Sequence, residues 1–314
     1  MMAAAAVIAG CLWWWTQRAP EAARLLPESD AVVYLNLRPV RLATAFSSLP
    51  QVKHDPDYEA FVQATGFEFE RDLDEAAIAV HLGASAQPAA STPSGATKET
   101  RYSEVFIGRF NSKALTQYFE KMARAKDSYA GRQVFTIPVE GRTVRVAVLS
   151  AGMVVVSNVE DASAIRGMID RAETRGMLAG GPELVKNFYK DVPVGSLAWG
   201  LARSKNNLPL PNGLEISVPE GVTWVGSLRY AGTLELKAQA IAASDADAQK
   251  ITESLNTLLA IFHSVQSNSH TQGMDADVKN VFDSLQVTQE HNRAIVTASV
   301  PAGFLQKLAV GAGH

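Results

Sequence analysis

The chain of 314 residues contains a single cysteine, Cys11. One thiol excludes an intramolecular disulfide, a thiolate zinc site and CxxC redox chemistry. Charge of one sign is also lacking: 29 Lys and Arg stand against 32 Asp and Glu, a net −3 with no basic stripe or tail. Nucleic-acid phosphates need a concentrated positive face, so no nucleic-acid partner is expected. Catalytic signatures are absent too. There is no HExxH, Gly-x-Ser-x-Gly, Ser-x-x-Lys, P-loop or dinucleotide fingerprint. The histidines (His54, His81, His263, His270, His291 and His314) have no metal-ligand spacing, so neither a metal nor a cofactor is expected.

A full membrane span is missing as well, since a spanning helix needs about 20 apolar residues. What stands at the N-terminus is shorter. Met1 to Trp15 carries no charge and ends abruptly at Thr16, Gln17 and Arg18. Trp13, Trp14 and Trp15 sit at the polar edge, where an interfacial aromatic belt would place them. With Val7, Ile8 and Leu12 they read as the outer end of a membrane anchor or signal-like segment over residues 1–17, a cleaved signal and a buried helix being the other readings. Ile8-Ala9-Gly10-Cys11 resembles a lipobox, which makes Cys11 a lipidation candidate, although no basic residue precedes it and Leu and Trp follow it. A start codon assigned too late, removing a basic and partly apolar leader, would explain the short apolar run and the missing basic residue. Arg18 and Arg24 give no help with orientation; the globular part is expected outside the cytoplasm.

Residues 18–28 read as a tether. The first strand is Ala31–Leu37, introduced by the turn cluster Pro27-Glu-Ser-Asp30. Helices are expected near 41–48 and 57–64, and a buried strand over Glu75–Leu82. Residues 84–100, rich in Pro, Ser, Thr and Ala, form an exposed loop because they cannot bury a core. A strand at Glu104–Phe110 follows. Asn111 then caps a helix to about residue 125, with Leu115, Tyr118, Phe119 and Met122 on one face. Strands at Gln133–Val139, Thr143–Ser150 and Met153–Ser157 are punctuated by Gly131, Glu140-Gly141 and Ala151-Gly152. A helix over Asp161–Ala172 closes a first half, 29–175.

The second half, 176–314, repeats this order. Its strands are Val194–Arg203, then Val222–Tyr230 and Thr233–Ala243 joined over Ala231-Gly232. A long helix is capped by Ser244 with Asp247 as a capping box, its stripe being Ile251, Leu255, Leu258, Leu259, Phe262 and Val265. Strands Leu285–Gln289 and Ala294–Val300 and a short helix Phe304–Val310 finish the chain. The expected fold is α+β: two related halves, each an antiparallel sheet with helices packed on one face, preceded by the apolar anchor helix.

The stretches LLPESDAVVYLNLRPVR and FVQATGFEFERDLDEAAIAV resemble a group of uncharacterised bacterial proteins often carried on an N-terminal anchor. There a "P.dA.vYl.l" strand precedes a "tGf…rDLdE.aia" segment, and the likeness covers about the first 80 residues. It implies an envelope-associated domain of unknown function and carries over no catalytic residue. Carboxylate clusters at His54–Glu59 and Glu68–Glu75 lack cation-loop spacing. Asp55 and Asp57 read as helix-start residues, and Arg71-Asp72-Leu73-Asp74 as a solvated turn or a salt-linked lead into the strand. The Lys205–Gly213 loop could dock a partner. The expected function is non-enzymatic: an anchored extracytoplasmic binding or scaffold protein, with the membrane and a protein or apolar ligand as partners. The alternatives are a carrier or sensor of a lipid-like ligand, and a hydrolase with a non-standard site.

Overall fold

A computed structural model describes residues 18–39, 55–82, 100–139, 141–174, 181–204, 208–209, 215–216, 218–268, 280–281 and 283–301. The anchor candidates Val7, Ile8, Cys11, Leu12, Trp13, Trp14 and Trp15 lie outside them, as do the 41–48 helix, the loop through residue 99, most of Lys205–Gly213 and the Phe304–Val310 helix. The chain divides into two compact units, with the boundary between Lys190 and Asp191.

The first unit holds α1 (Glu21–Leu25), β1 (Ala31–Asn36), α2 (Pro56–Thr65), α3 (Phe69–Asp72), β2 (Leu73–Leu82), β3 (Thr100–Gly108), α4 (Ser112–Met122), β4 (Ala125–Tyr129), β5 (Arg132–Val139), β6 (Arg142–Ser150), β7 (Met153–Ser157), α5 (Ser163–Glu173) and α6 (Glu183–Phe188). Its strands run β1-β2-β3-β7-β6-β5-β4, all antiparallel. Local signals set the helix starts. Asp55 caps α2 by accepting from the Tyr58 N–H at 2.8 Å, and Asn111 caps α4 by accepting from Ala114 at 3.1 Å. Gly66, in the left-handed region at φ 72°, ends α2.

Strand alternation gives this sheet two apolar faces, and helices cover both. On one face Ala76, Val154, Val146, Phe135 and Ile137 pack with Leu115 of α4 and, through Phe67 and Phe110, with Phe61 of α2. On the other, the cross-strand row Tyr34–Ala77–Val105–Val155–Ala147 is sealed, Ala77, Val105, Val155 and Ala147 each at 0% exposure. There α5 lies on β6 and β7, and α1 on β2 and β3. The expectation of helices on one face fails in this unit. Val154, Val155 and Val156 are apolar at consecutive positions, the pattern of a strand buried on both sides.

Two elements differ further from expectation. Residues 21–25, read as tether, form α1, with Ala22, Ala23, Leu25 and Leu26 fully buried. The helix expected to reach residue 125 stops at Met122, and an added edge strand, β4, follows. It is made by the tight turn at Ala130 and Gly131, both at positive φ, as a two-residue hairpin requires.

The second unit holds β8 (Ser196–Arg203), the small pair β9 (Leu208–Pro209) and β10 (Glu215–Ile216), β11 (Thr223–Tyr230), β12 (Leu234–Ile241), α7 (Asp245–Asn268), β13 (Gln286–Glu290) and β14 (Arg293–Val300). Its main strands run β8-β11-β12-β14-β13, again antiparallel. The Ser244 hydroxyl accepts from the Asp247 N–H at 3.1 Å and donates to its carboxylate at 2.8 Å, starting α7. The helix stripe Ala248, Ile251, Leu255 and Leu258 rests on Trp224, Ala240 and Ala294, all on one face of the sheet. Among the described residues the one-face arrangement holds here.

Because Leu25 of α1 is fully buried, Leu25→Ala should cost about 2–5 kcal/mol of stability in urea denaturation. A cost near zero would return residues 18–28 to the status of a tether.

Candidate binding site

The face of the second sheet opposite α7 carries polar side chains at alternate positions. Register aligns Ser227, Lys237, Thr297 and Gln286 in one cross-strand row, with Ile295 and Thr288 in the next and Arg229, Glu235 and Ser299 in a third. These rows floor an open trough of about 640 Å³, walled at one side by Pro193. One end is closed by the ion pair between Arg229 and Glu235 at 2.5 Å. Below the other, Arg293 pairs with Asp191 at 2.7 Å while Gln239 donates to the Asp191 carbonyl at 3.0 Å.

Several groups in the trough are uncommitted among the described residues. The side chains of Lys237, Gln286, Thr288, Thr297 and Glu290 have no hydrogen-bond or ion-pair partner there. The charges of the lining balance, Arg229 and Lys237 against Glu235 and Glu290. Such a surface offers a cation, hydroxyls and an amide to a polar ligand, and from its strands only the Ile295 side chain to an apolar one. No stretch of sequence announced this trough. Its residues come from four strands and become neighbours only through register; the one signal was polar alternation on strands whose other face carries the helix stripe.

The sequence-level candidates resolve into structural roles. The Asp72 carboxylate accepts from Arg71 at 2.6 Å and from the Glu68 N–H at 3.1 Å, with Arg109 at 3.4 Å. Arg71 holds its pKa below the ordinary carboxylate value, the Glu68 N–H adding to this. Of the two readings of Arg71-Asp72-Leu73-Asp74, this is the salt-linked lead into β2. Asp55 serves as a helix cap rather than a ligand.

His81 comes closest to a catalytic arrangement. Its Nε2 lies 3.1 Å from the Ser103 hydroxyl, which lies 3.0 Å from the Ser157 hydroxyl. Burial lowers the His81 pKa, and Asp30 opposes that. Yet Ser103 and Ser157 are at 0% and 2% exposure, so no substrate carbonyl reaches either oxygen. The chain of hydroxyls satisfies buried polar groups. Among the described residues no three His, Cys, Asp or Glu side chains converge on a metal position. His291 sits in the β13–β14 turn at φ 52°; the His54, His263, His270 and His314 side chains are outside the described set.

A buried carboxylate was not foreseen. Glu75 is hydrogen-bonded to Tyr34, which stands in the sealed row of the first sheet, while its Oε2 is buried without a hydrogen-bond partner. Burial raises its pKa, and the Tyr34 bond and Arg38 oppose the shift. Burial and Glu75 together push the Tyr34 hydroxyl far above its ordinary value.

No protein-family model matches the chain, and no curated protein matches it. Among solved structures it is similar to crystal form I of TP0453, with a TM-score of 0.47 and 10% identity over 95% of this chain and 99% of that one. Crystal form III of TP0453 gives a TM-score of 0.44 and 10% identity over 93% and 99% of the two chains. Among the described residues no helix is long and apolar enough to cross a membrane.

The raised pKa of Glu75 has a signed consequence. The folded state holds the protonated form more readily than the unfolded chain does. The penalty is therefore absent below the unfolded value, grows as pH rises through the window up to the folded value, and is complete above it. Glu75→Gln should unfold at a higher temperature than the parent at pH 7, with the difference fading below about pH 4. An equal difference at both pH values would show that ionisation is not the cause.

Proposed function

We propose that the chain acts by binding, outside the cytoplasm, while held at the cell envelope through its N-terminal apolar segment. The trough over the second sheet is the observation that carries this reading. It is open and charge-balanced, and its hydroxyl, amide and ammonium groups have no internal partner among the described residues. A concavity on which a few polar groups converge is the form that a site for a polar ligand takes. Its ligand is a polar one, such as an extended peptide or a glycan strand. Attachment rests on the uncharged run Met1–Trp15 with its three terminal tryptophans.

The two units also share a plan, and we read them as a repeat. In each, three strands pair in sequence order, a helix follows, and the last strand of the returning meander pairs with the third. Thus β1-β2-β3-β7-β6 corresponds to β8-β11-β12-β14-β13. The first unit adds β4 and β5 to the far edge. This division of labour leaves one sheet buried on both faces and the other with a face for ligand.

A second reading, carriage of an apolar ligand, draws on the α7 side of the second sheet. There Leu236 is 40% exposed, and a Cβ placed on Gly226 would meet nothing within 4 Å. That strip is shallower evidence than the trough, because exposed single leucines are common.

Two measurements test the proposal. Fractionation with external protease should find the native-length chain in the membrane fraction and degraded from outside. Recovery from the soluble cytoplasm would defeat the localisation. In thermal-shift assays, short peptides or glycan fragments should raise the unfolding temperature of the parent but not of Thr297→Trp, which fills the trough. The absence of a rise with either class would defeat the polar-ligand reading.

A further inference from the structure

The strand order ends differently at β4 and at β13. In the first unit the edge strand β4 reads Ala125-Lys-Asp-Ser-Tyr129, with Lys126 paired to Glu120 at 2.7 Å and Asp127 to Arg166 at 3.2 Å. Charged side chains on an edge are the usual guard against edge-to-edge pairing. In the second unit β13 reads Gln286-Val-Thr-Gln-Glu290, with no proline, no lysine and no charge before its last residue. Among the described residues it pairs with β14 on one side only, and all of it but the half-buried Val287 is exposed.

The register fixes which backbone groups this edge offers. Glu290 and Arg293 flank a two-residue turn, so Glu290, Thr288 and Gln286 exchange hydrogen bonds with β14. The N–H and C=O groups of Val287 and Gln289 therefore point outward, without partners among the described residues. A two-fold axis through Thr288 sets Val287 against Gln289 of a second copy, twice. That is the arrangement in which outward-pointing groups exchange bonds, four in all. The same axis sets Gln286 against Glu290 and Thr288 against Thr288, with no like charges opposed. Applied to β4, an equivalent axis would set Asp127 against Asp127, which opposes pairing.

We infer that a second copy of this chain docks along β13, antiparallel and centred on Thr288, to make one continuous sheet across two molecules. The occupant follows from the self-complementary register and from the contrast with the guarded β4 edge. Because Gln286, Thr288 and Glu290 line the trough, the two-fold joins two troughs into one polar channel. The two α7 helices, which pack on β13 and β14, come to lie on the same face of the joined sheet.

The test uses the full chain in mild detergent, in a Cys11→Ser background that removes its one thiol. Two Thr288 Cα atoms across the axis lie about 4.5 Å apart, within disulfide reach. Two Val287 Cα atoms lie about 8 Å apart, beyond it. Thr288→Cys should give a covalent dimer on mild oxidation and Val287→Cys should not. Thr288→Asp opposes two carboxylates and should weaken association about tenfold in sedimentation velocity, with an unchanged circular dichroism spectrum. A monomeric parent overturns the inference. So does equal cross-linking of the two cysteine variants, or a dimer that Thr288→Cys fails to trap, since either places the contact on another surface.

Discussion

The packed row Tyr34–Ala77–Val105–Val155–Ala147 is the constraint from which the first unit follows. Four of these residues sit at zero exposure, so nothing larger fits beneath the helices that cover them. Alanine at both 77 and 147 lets α1 and α5 approach the sheet closely. The valines at 105 and 155 then supply bulk between those small residues. On the reverse face the demand is opposite. Phe67, Phe110 and Phe135 fill the broader space under α2 and α4, with Phe67 and Phe110 stacked at 4.7 Å between centroids.

The second unit solves a different problem with the same strand order. Its helix stripe is satisfied by one face, so the other face is free to be polar without leaving an apolar core open. The Arg293–Asp191–Gln239 network shows how this is done. Gln239, at 4% exposure, has its amide taken up by the Asp191 carbonyl, and Arg293 neutralises the Asp191 carboxylate. Polar atoms of this face that are buried are paired, and those toward solvent are left for other partners. Tying ends while freeing the centre is what gives the trough a fixed floor.

Much of this fold was legible in the sequence because caps and turns are local chemistry. Asn111, Ser244 with Asp247, and the turns at Gly232 and Gly141 all lie where side-chain and backbone preferences put them. The misses were elements whose cause is not local. Glu-Ala-Ala-Arg-Leu is too short to show helical periodicity, and α1 exists because its small and apolar residues find a sheet to rest on. Likewise Ala125–Tyr129 has no alternation of apolar residues and is a strand because the Ala130-Gly131 turn returns it to β5. The trough was out of reach for a related reason. Ser227, Lys237, Thr288 and Thr297 are unremarkable one at a time, and register alone assembles them. Glu75 also looked like one more charge in an acidic stretch; only burial beside Tyr34 sets it apart.

The burial of α1 bears on geometry at a membrane. Only five residues, Thr16 to Pro20, separate Trp15 from the first residue of α1. Fully extended, the steps from Trp15 to Glu21 reach no more than about 20 Å. If the tryptophans lie at a bilayer surface, the folded body has no stalk on which to stand away from it. It would travel pressed close to the lipid headgroups, and anything it binds must be found within that thin layer.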